Sequence, residues 1–196
     1  MNIAPLDREA TLEDLFAVEG NAELVDGRLV LMAPTSDAHN TTARNIVFRL
    51  TEHEWEHGGG RAYVDGIGFI ASDRRTFSPD VAWYVGPAFG GKVVRGMPVL
   101  AVEIRSPEDY GPAAERRMAA KRADYFREGT LVVWDVDVLR EGWIRCYRAS
   151  EPDHPAVFHR GEIADAEPAI PGWRFAVDDL VRSGKQEGFR TDATGR

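Results

Sequence analysis

The stretch PVLAVEIRSP, residues 98–107, is the segment around which the fold is built. It alternates like a central β-strand, with Leu100, Val102 and Ile104 pointing to one face and Glu103 to the other. A carboxylate in the middle of so apolar a strand should be at least partly buried, and burying it alone would cost several kcal/mol. The sequence therefore predicts a cation, a second polar partner or a metal ion beside Glu103.

A second carboxylate opens the preceding strand-like segment. Pro79 and Asp80 begin PDVAWYV, residues 79–85, upstream of Glu103 in the chain. Two carboxylates at neighbouring strand ends would supply the hard oxygen ligands that Mg²⁺ takes, with water and phosphate completing its shell. The alternative is that Asp80 only caps a turn after the proline.

A predicted helix over residues 112–128 adds a cation. Met118, Lys121 and Tyr125 form one stripe at spacings of three and four residues, so Lys121 should face the sheet with its neighbours. A lysine there could position or deprotonate an attacking water, or stabilise charge on a phosphate. It could also form a structural ion pair with Glu103, or extend out of the stripe to solvent.

The other patterns predict an α/β (α+β) fold with a mixed central sheet flanked by helices. Residues 22–32 alternate around Asp26-Gly27, which predicts an N-terminal β-hairpin. Further helices are expected at 11–19 and from about residue 38 to the glycines at 58–60. Further strands are expected within 61–72, 76–86, 130–138, 142–149 and 170–181. We expect one domain over residues 1–182 and a flexible tail over 183–196.

Composition narrows the class of protein. The 196 residues carry a net charge of −8, with 43% hydrophobic and 29% charged side chains, as in ordinary globular proteins. The acidity argues mildly against nucleic acid, but residues 39–149 contain 15 acidic and 16 basic residues, so a polyanion would bind there. Cys146 is the single cysteine, which excludes an internal disulfide. With no signal peptide and no apolar run of membrane-spanning length, we expect a cytoplasmic protein and no membrane partner.

Residues 53–57, HEWEH, match the H-E-x-x-H pattern of zinc proteases, with His53 and His57 as ligands and Glu54 as base. The helix should end directly after His57, which would leave the second ligand on a fraying turn. The longer pattern requires a third histidine where this chain has Tyr63. We therefore expect these three side chains to be solvated groups at a helix end, near the negative end of its dipole.

The pieces described so far occur together in one family. The chain resembles the PD-(D/E)XK restriction-endonuclease-like superfamily and, within it, the Uma family of predicted endonucleases, formerly a domain of unknown function. The resemblance covers residues 10 to 180. It rests on five segments in order, namely AELVDGRLVLMAP at 22–34, SDAHN at 36–40, SPDVAW at 78–83, VEIRSP at 102–107 and KRADYFREGTLVVWDVD at 121–137.

The resemblance implies a restriction-endonuclease-like core, Asp80 and Glu103 as ligands of Mg²⁺ or Mn²⁺, and Lys121 as the catalytic lysine. The general superfamily pattern places a lysine two residues after the glutamate, where this chain has Arg105. In this family the lysine lies instead on the following helix, at Lys121. Arg105 could then contact phosphate or be a surface charge.

Three more residues are candidates for the site. Glu23 is a possible further acid, with a plain charge at a strand edge as the alternative. His39 matches the family at a helix start, where a structural role is the alternative. Tyr125 lies on the stripe of Lys121.

We therefore expect a Mg²⁺-dependent endonuclease that hydrolyses DNA phosphodiester bonds, with Lys121 assisting the attacking water. The main alternative is a catalytically idle domain of the same fold that binds nucleic acid or a protein, which the acidic net charge favours. The zinc protease is the second alternative.

We also expect a homodimer. Relatives that cut both strands of DNA commonly pair two sites. In addition, Trp83, Trp134 and Trp143 lie on predicted strands that a single small domain would leave partly uncovered.

Overall fold

The computed structural model describes residues 8–32, 35–64, 66–87 and 93–183. The expected tail lies outside the described residues from position 184 onward. The helices are α1 Leu12–Ala17, α2 Asp37–His57, α3 Pro112–Arg127 and a 3₁₀ helix at Val177–Val181. The strands are β1 Ala22–Val25, β2 Arg28–Leu31, β3 Arg61–Val64, β4 Gly68–Ser72, β5 Arg75–Phe77, β6 Val81–Tyr84, β7 Val93–Arg95, β8 Leu100–Ile104, β9 Val132–Asp137, β10 Trp143–Arg148, β11 Glu151–His159, β12 Ile163–Asp165 and β13 Arg174–Ala176.

Two sheets form the framework. The first has the order β2-β1-β5-β4-β7, the second the order β11-β10-β9-β8-β6-β3, and β12 pairs with β13 separately. The β4–β7 and β8–β9 pairs are parallel, while β1–β2 and β6–β8 are antiparallel. The predicted mixed sheet and the N-terminal β-hairpin are both confirmed.

Helices cover both faces of the six-stranded sheet. On one face α2 packs Ala43, Ile46 and Leu50 into the main core, against buried residues of β6, β8 and β9. On the other face α3 packs Tyr125 among buried side chains of β5, β8 and β9. The helix spacing read from the sequence decides these contacts, because residues three and four apart share one face. The predicted α/β (α+β) architecture of a mixed sheet flanked by helices is thus confirmed.

Local signals explain where the helices begin and end. Thr11 caps α1 in a reciprocal pair with Asp14. The Ser36 side chain accepts a hydrogen bond from the His39 backbone at 3.2 Å at the start of α2. Gly58, with a φ of 67°, ends α2 directly after His57, as predicted.

Some strand predictions were incomplete. The segments 61–72 and 76–86 each contain two strands, which belong to different sheets. β7, β11 and β12 were not predicted. β11 contains Pro152 and Pro155, which hide its strand pattern but are tolerated because it lies at the edge of its sheet.

The tryptophan part of the homodimer argument was wrong. Trp83, Trp134 and Trp143 are 2%, 0% and 5% exposed within the single chain. They pack into the chain's own core or beneath arginine side chains, so they offer no uncovered surface. Within the described ranges no helix is long and apolar enough to cross a membrane.

Candidate active site

The antiparallel pairing of β6 and β8 brings the two predicted carboxylates onto adjacent strands. Val81 lies opposite Val102, so Asp80 precedes its strand beside the end of β8 that carries Glu103. The Asp80 backbone N–H donates to Val102 O at 3.0 Å, and its Oδ2 accepts the Ile104 N–H at 2.6 Å. These two bonds orient a carboxylate that is 7% exposed.

Helix α3 delivers two partners to Glu103. Lys121 Nζ donates to Glu103 Oε2 at 3.0 Å, and the Tyr125 hydroxyl donates to Oε1 at 2.6 Å. A spacing of four residues places both side chains on the helix face that covers β8. The predicted stripe therefore faces inward, and both oxygens of Glu103 accept a hydrogen bond.

Glu23 reaches the same cluster from the other sheet. Its Oε1 accepts the Ser78 backbone N–H at 2.8 Å and lies 3.2 Å from Lys121 Nζ. The side chain is 11% exposed, and β1 lies between β2 and β5. The alternative of a charge at a strand edge was wrong. The Lys121 ammonium lies between two carboxylates and offsets part of their negative charge.

His39 contacts the other end of the cluster. It lies in the first turn of α2, and its Nε2 is 3.2 Å from Asp80 Oδ2. Both side chains are less than 10% exposed, at 7% and 9%. The histidine thus orients Asp80 together with the Ile104 N–H.

These residues line one cavity of about 840 Å³. Burial raises the pKa of Glu103 to about 7; Lys121 opposes this shift, and the charges of Asp80 and Glu23 add to it. Burial by itself would lower the pKa of Lys121, but Glu103, Glu23 and Asp80 raise it above its ordinary value. The cavity therefore concentrates negative charge that a cation offsets.

Arg105 does not reach the cavity, and both alternatives for it were wrong. It is 2% exposed, and its guanidinium binds both oxygens of Asp135 at 2.7 Å. It also donates to Glu115 on α3 and, at 3.1 Å, to Asp109 O. Arg105 therefore links the first turn of α3 to the sheet, because it binds Glu115 and Asp135 at the same time. These bonds occupy its guanidinium.

The H-E-x-x-H residues have structural roles at the end of α2. The rings of His53 and His57 stack with centroids 4.6 Å apart, and His53 also meets the edge of Trp83 at 5.7 Å. Glu54 Oε2 accepts the Ala62 backbone N–H at 2.9 Å, on the outer edge of β3. Glu54 and His53 are thus half-buried rather than fully solvated.

The oxygen donors of Asp80 and Glu103 match the Mg²⁺ that the family resemblance implies. Across the described residues no three His, Cys, Asp or Glu side chains are arranged to coordinate an ion together. Mg²⁺, however, needs only one or two carboxylates, and Asp80 and Glu103 on adjacent strands supply that hard oxygen set. The donor set therefore fits, with Lys121 occupying the cationic position beside Glu103.

Among the cavity residues that the sequence did not reveal, one acid lies directly beside Glu103. Asp135 on β9 lies in register with Glu103 and lines the same cavity. The alternation in WDVD, residues 134–137, could have shown that two aspartates share one face of an apolar strand. Asp135 and Asp137 show the same pattern as Glu103, a carboxylate within an otherwise apolar strand.

Comparisons with known proteins agree with this fold. The family model "Uma2: Putative restriction endonuclease" matches residues 11–178. A solved structure, described as a putative nuclease belonging to DUF820 from Anabaena variabilis, superimposes with a TM-score of 0.69 at 16% identity, over 87% of this chain and 97% of that chain. No curated protein matches the sequence. The chain belongs to the Uma2 family, which carries the restriction-endonuclease-like fold.

Proposed function

We propose that this protein is a Mg²⁺-dependent (or Mn²⁺-dependent) endonuclease that hydrolyses DNA phosphodiester bonds. The observation that carries the proposal is that Asp80, Glu103 and Glu23 line one cavity, in which the Lys121 ammonium lies at ion-pair distance from Glu103 and Glu23. The family description and the nuclease named in the structural comparison support the reaction class. We propose Asp80 and Glu103 as the metal ligands, with Glu23 as a further acid of the site.

Each side chain has a separate task in this proposal. A bound Mg²⁺ would supply a Lewis acid for the phosphate and lower the pKa of a water. His39 and the Ile104 N–H orient Asp80, and the Tyr125 hydroxyl orients Glu103. Lys121, as an ammonium, donates hydrogen bonds, so it can orient the attacking water or stabilise charge on the phosphate.

Two wider features belong to the same proposal. We propose a homodimer, because cutting both strands of a duplex calls for two sites. We also propose a cytoplasmic location, to which the buried free thiol of Cys146 is suited.

The testing experiment is incubation of supercoiled plasmid with the purified protein and Mg²⁺, Mn²⁺ or EDTA. Wild type should nick or linearise the plasmid only with metal. Asp80→Asn and Glu103→Gln should abolish cleavage and weaken Mg²⁺ binding by calorimetry while leaving the circular dichroism spectrum unchanged. Lys121→Ala should bind Mg²⁺ but not turn over.

The matched control is Arg160→Gln, an exposed arginine outside the cavity lining, which should cleave like wild type. Cleavage that survives in Asp80→Asn would point to a contaminating nuclease. Wild type that binds DNA but never cleaves it would instead identify the idle binding domain.

A further inference from the structure

Two arginines beside the cavity are stacked on aromatic rings. The guanidinium carbon of Arg122 lies 3.6 Å from the Tyr147 ring centroid, and that of Arg145 lies 4.0 Å from the Trp143 ring. Within the part of the chain that is described, neither guanidinium lies at ion-pair distance from a carboxylate. We call Arg122 and Arg145 the arginine pair.

The arginine pair lies next to the proposed catalytic cluster. Arg122 follows Lys121 in α3 and lines the same cavity. Arg145 is opposite Asp135, which is in turn opposite Glu103, so the three residues cross β10, β9 and β8 on one face. With strands about 4.8 Å apart, the Arg145 backbone is roughly 10 Å from that of Glu103. A distance of about 10 Å corresponds to about three successive nucleotides of one strand, at 3.4 Å each.

Two other arginines near the cavity pair with acids, whereas Arg117, which also lines the cavity, donates to the Glu108 carbonyl oxygen at 3.3 Å. Arg105 is bound by Asp135 and Glu115, and Arg75 pairs with Asp26 and Asp124. Arg105 is the ion-pair partner of Asp135 and Glu115; Arg145 acts on both acids and Arg122 on Glu115 from beyond ion-pair distance, so the donors of the arginine pair remain available to an anion. Stacking also holds each guanidinium in place, which lowers the entropy cost of binding.

The stacking of the two arginines on aromatic rings favours contacts with phosphate over contacts with bases. Each guanidinium covers the ring face on which a nucleic-acid base could otherwise stack. The planar donor fork of an arginine matches a phosphate. The pair therefore suits the sugar–phosphate backbone, whose contacts give affinity without reading sequence.

We propose that Arg122 and Arg145 bind backbone phosphates of the nucleic acid on one side of the bond that is cut, the side on which β10 lies. This inference rests on the proposed function for the identity of the polyanion. It adds the residues that give the site its affinity for nucleic acid and makes that affinity independent of sequence.

The test is fluorescence anisotropy with the full-length protein and two labelled DNA duplexes of unrelated sequence, in EDTA so that no cleavage occurs. Salt is varied from about 50 to about 200 mM. The variants are Arg122→Gln and Arg145→Gln, singly and together, the matching Lys variants, and Arg160→Gln as the control. Urea unfolding of each variant confirms that it is folded.

Each Gln variant should bind both duplexes about eightfold more weakly at about 0.1 M salt, and lose about 0.9 from the slope of log K against log salt. The Lys variants should recover most of the slope, and Arg160→Gln should match wild type. The inference is overturned if the double Gln variant keeps wild-type affinity and slope, if Lys fails to recover the slope, or if wild type binds neither duplex.

The two proposals fail in different ways. Wild type that binds through the arginine pair but does not cut plasmid with Mg²⁺ contradicts the proposed function alone. Wild type that cuts plasmid while the Gln variants bind normally contradicts the inference alone.

Discussion

Lys121 is the residue on which the charge balance of the cavity depends. Its ammonium lies 3.0 Å from Glu103 and 3.2 Å from Glu23, and all three side chains are less than a third exposed. Removing one partner of a buried ion pair lowers the free energy of unfolding more than removing both partners, because the remaining charge is buried without a partner. The carboxylates and the lysine therefore stabilise one another in the metal-free protein.

We predict that Lys121→Met lowers the free energy of unfolding by about 2 kcal/mol, less than the roughly 3–5 kcal/mol of a fully buried pair because the group is partly exposed. Adding Glu103→Gln should recover part of this loss, since it removes a repelling charge. Urea unfolding in EDTA measures both effects. A Lys121→Met protein as stable as wild type would show that the ion pairs contribute little.

A second prediction at this scale concerns pH. Burial and the nearby acids raise the pKa of Glu103 to about 7, and a metal ligand must be ionised. Mg²⁺ binding should therefore weaken as pH falls through 7, with affinity at about pH 6 roughly tenfold below that at about pH 8. Calorimetry at both pH values measures the change.

Glu103→Gln provides the control for this titration. It should bind Mg²⁺ weakly and lose the part of the pH dependence that comes from Glu103, because that carboxyl group is absent. Equal wild-type affinity at the two pH values would contradict the assignment of Glu103 as a ligand.

At the scale of elements, α3 depends on a buried arginine for its position. Arg105 joins β8 to Asp135 on β9 and to Glu115 in the first turn of the helix. The same helix carries Lys121 and Tyr125 to Glu103. The contacts of Arg105 therefore help to position Lys121, although Arg105 itself does not line the cavity.

We predict that Arg105→Met lowers the free energy of unfolding by about 3–5 kcal/mol, because Asp135, with a side chain only 4% exposed, loses its partner. The double variant Arg105→Met with Asp135→Asn should be less destabilised than Arg105→Met. Urea unfolding compares the two, and Arg160→Gln should stay within about 0.5 kcal/mol of wild type. An Arg105→Met variant with wild-type stability would contradict the view that Arg105 holds α3 against the sheet.

The end of α2 provides the second element-scale prediction. Replacing both His53 and His57 with Ala should leave the fold and any nuclease activity intact and cost about 1 kcal/mol, since it removes a ring stack and one edge contact with Trp83. Thermal unfolding and the plasmid assay check this. Stoichiometric zinc in wild type, lost in the variant together with the fold, would restore the protease hypothesis.

At the scale of the whole molecule, the candidate site is assembled from separate elements of both sheets and two helices. Glu23 comes from the five-stranded sheet, Glu103 from the six-stranded sheet, Asp80 from the segment directly before β6, His39 from α2 and Lys121 from α3. The chain crosses between the sheets at residues 78–80, where the Ser78 N–H binds Glu23. Formation of the site therefore requires the complete fold.

The homodimer stays a prediction at this scale. Light scattering at micromolar concentration should give about twice the 21.8 kDa mass of the chain. Since the three tryptophans are buried, the remaining argument is that two sites are needed to cut two strands. A monomeric mass would mean that any double-strand cut arises from two successive nicks.

Local patterns by themselves determined much of this protein. The period of two in PVLAVEIRSP placed Glu103 on its own face of a strand, and spacings of three and four placed Lys121 with Tyr125. The glycines that follow His57 marked the end of α2. These features could be predicted because the physical forces behind them act between residues close in sequence.

Only the tertiary structure decided which of these residues meet and what each one does. Arg105 and Lys121 are both cations near Glu103 in the sequence, yet packing buries Arg105 against Asp135 and directs Lys121 into the cavity. Glu23 joined the cluster because two sheets meet there, and Glu54 turned to a strand edge because β3 follows α2 closely. The energy of a buried charge depends on its partners, and those partners are set by contacts between residues far apart in the chain.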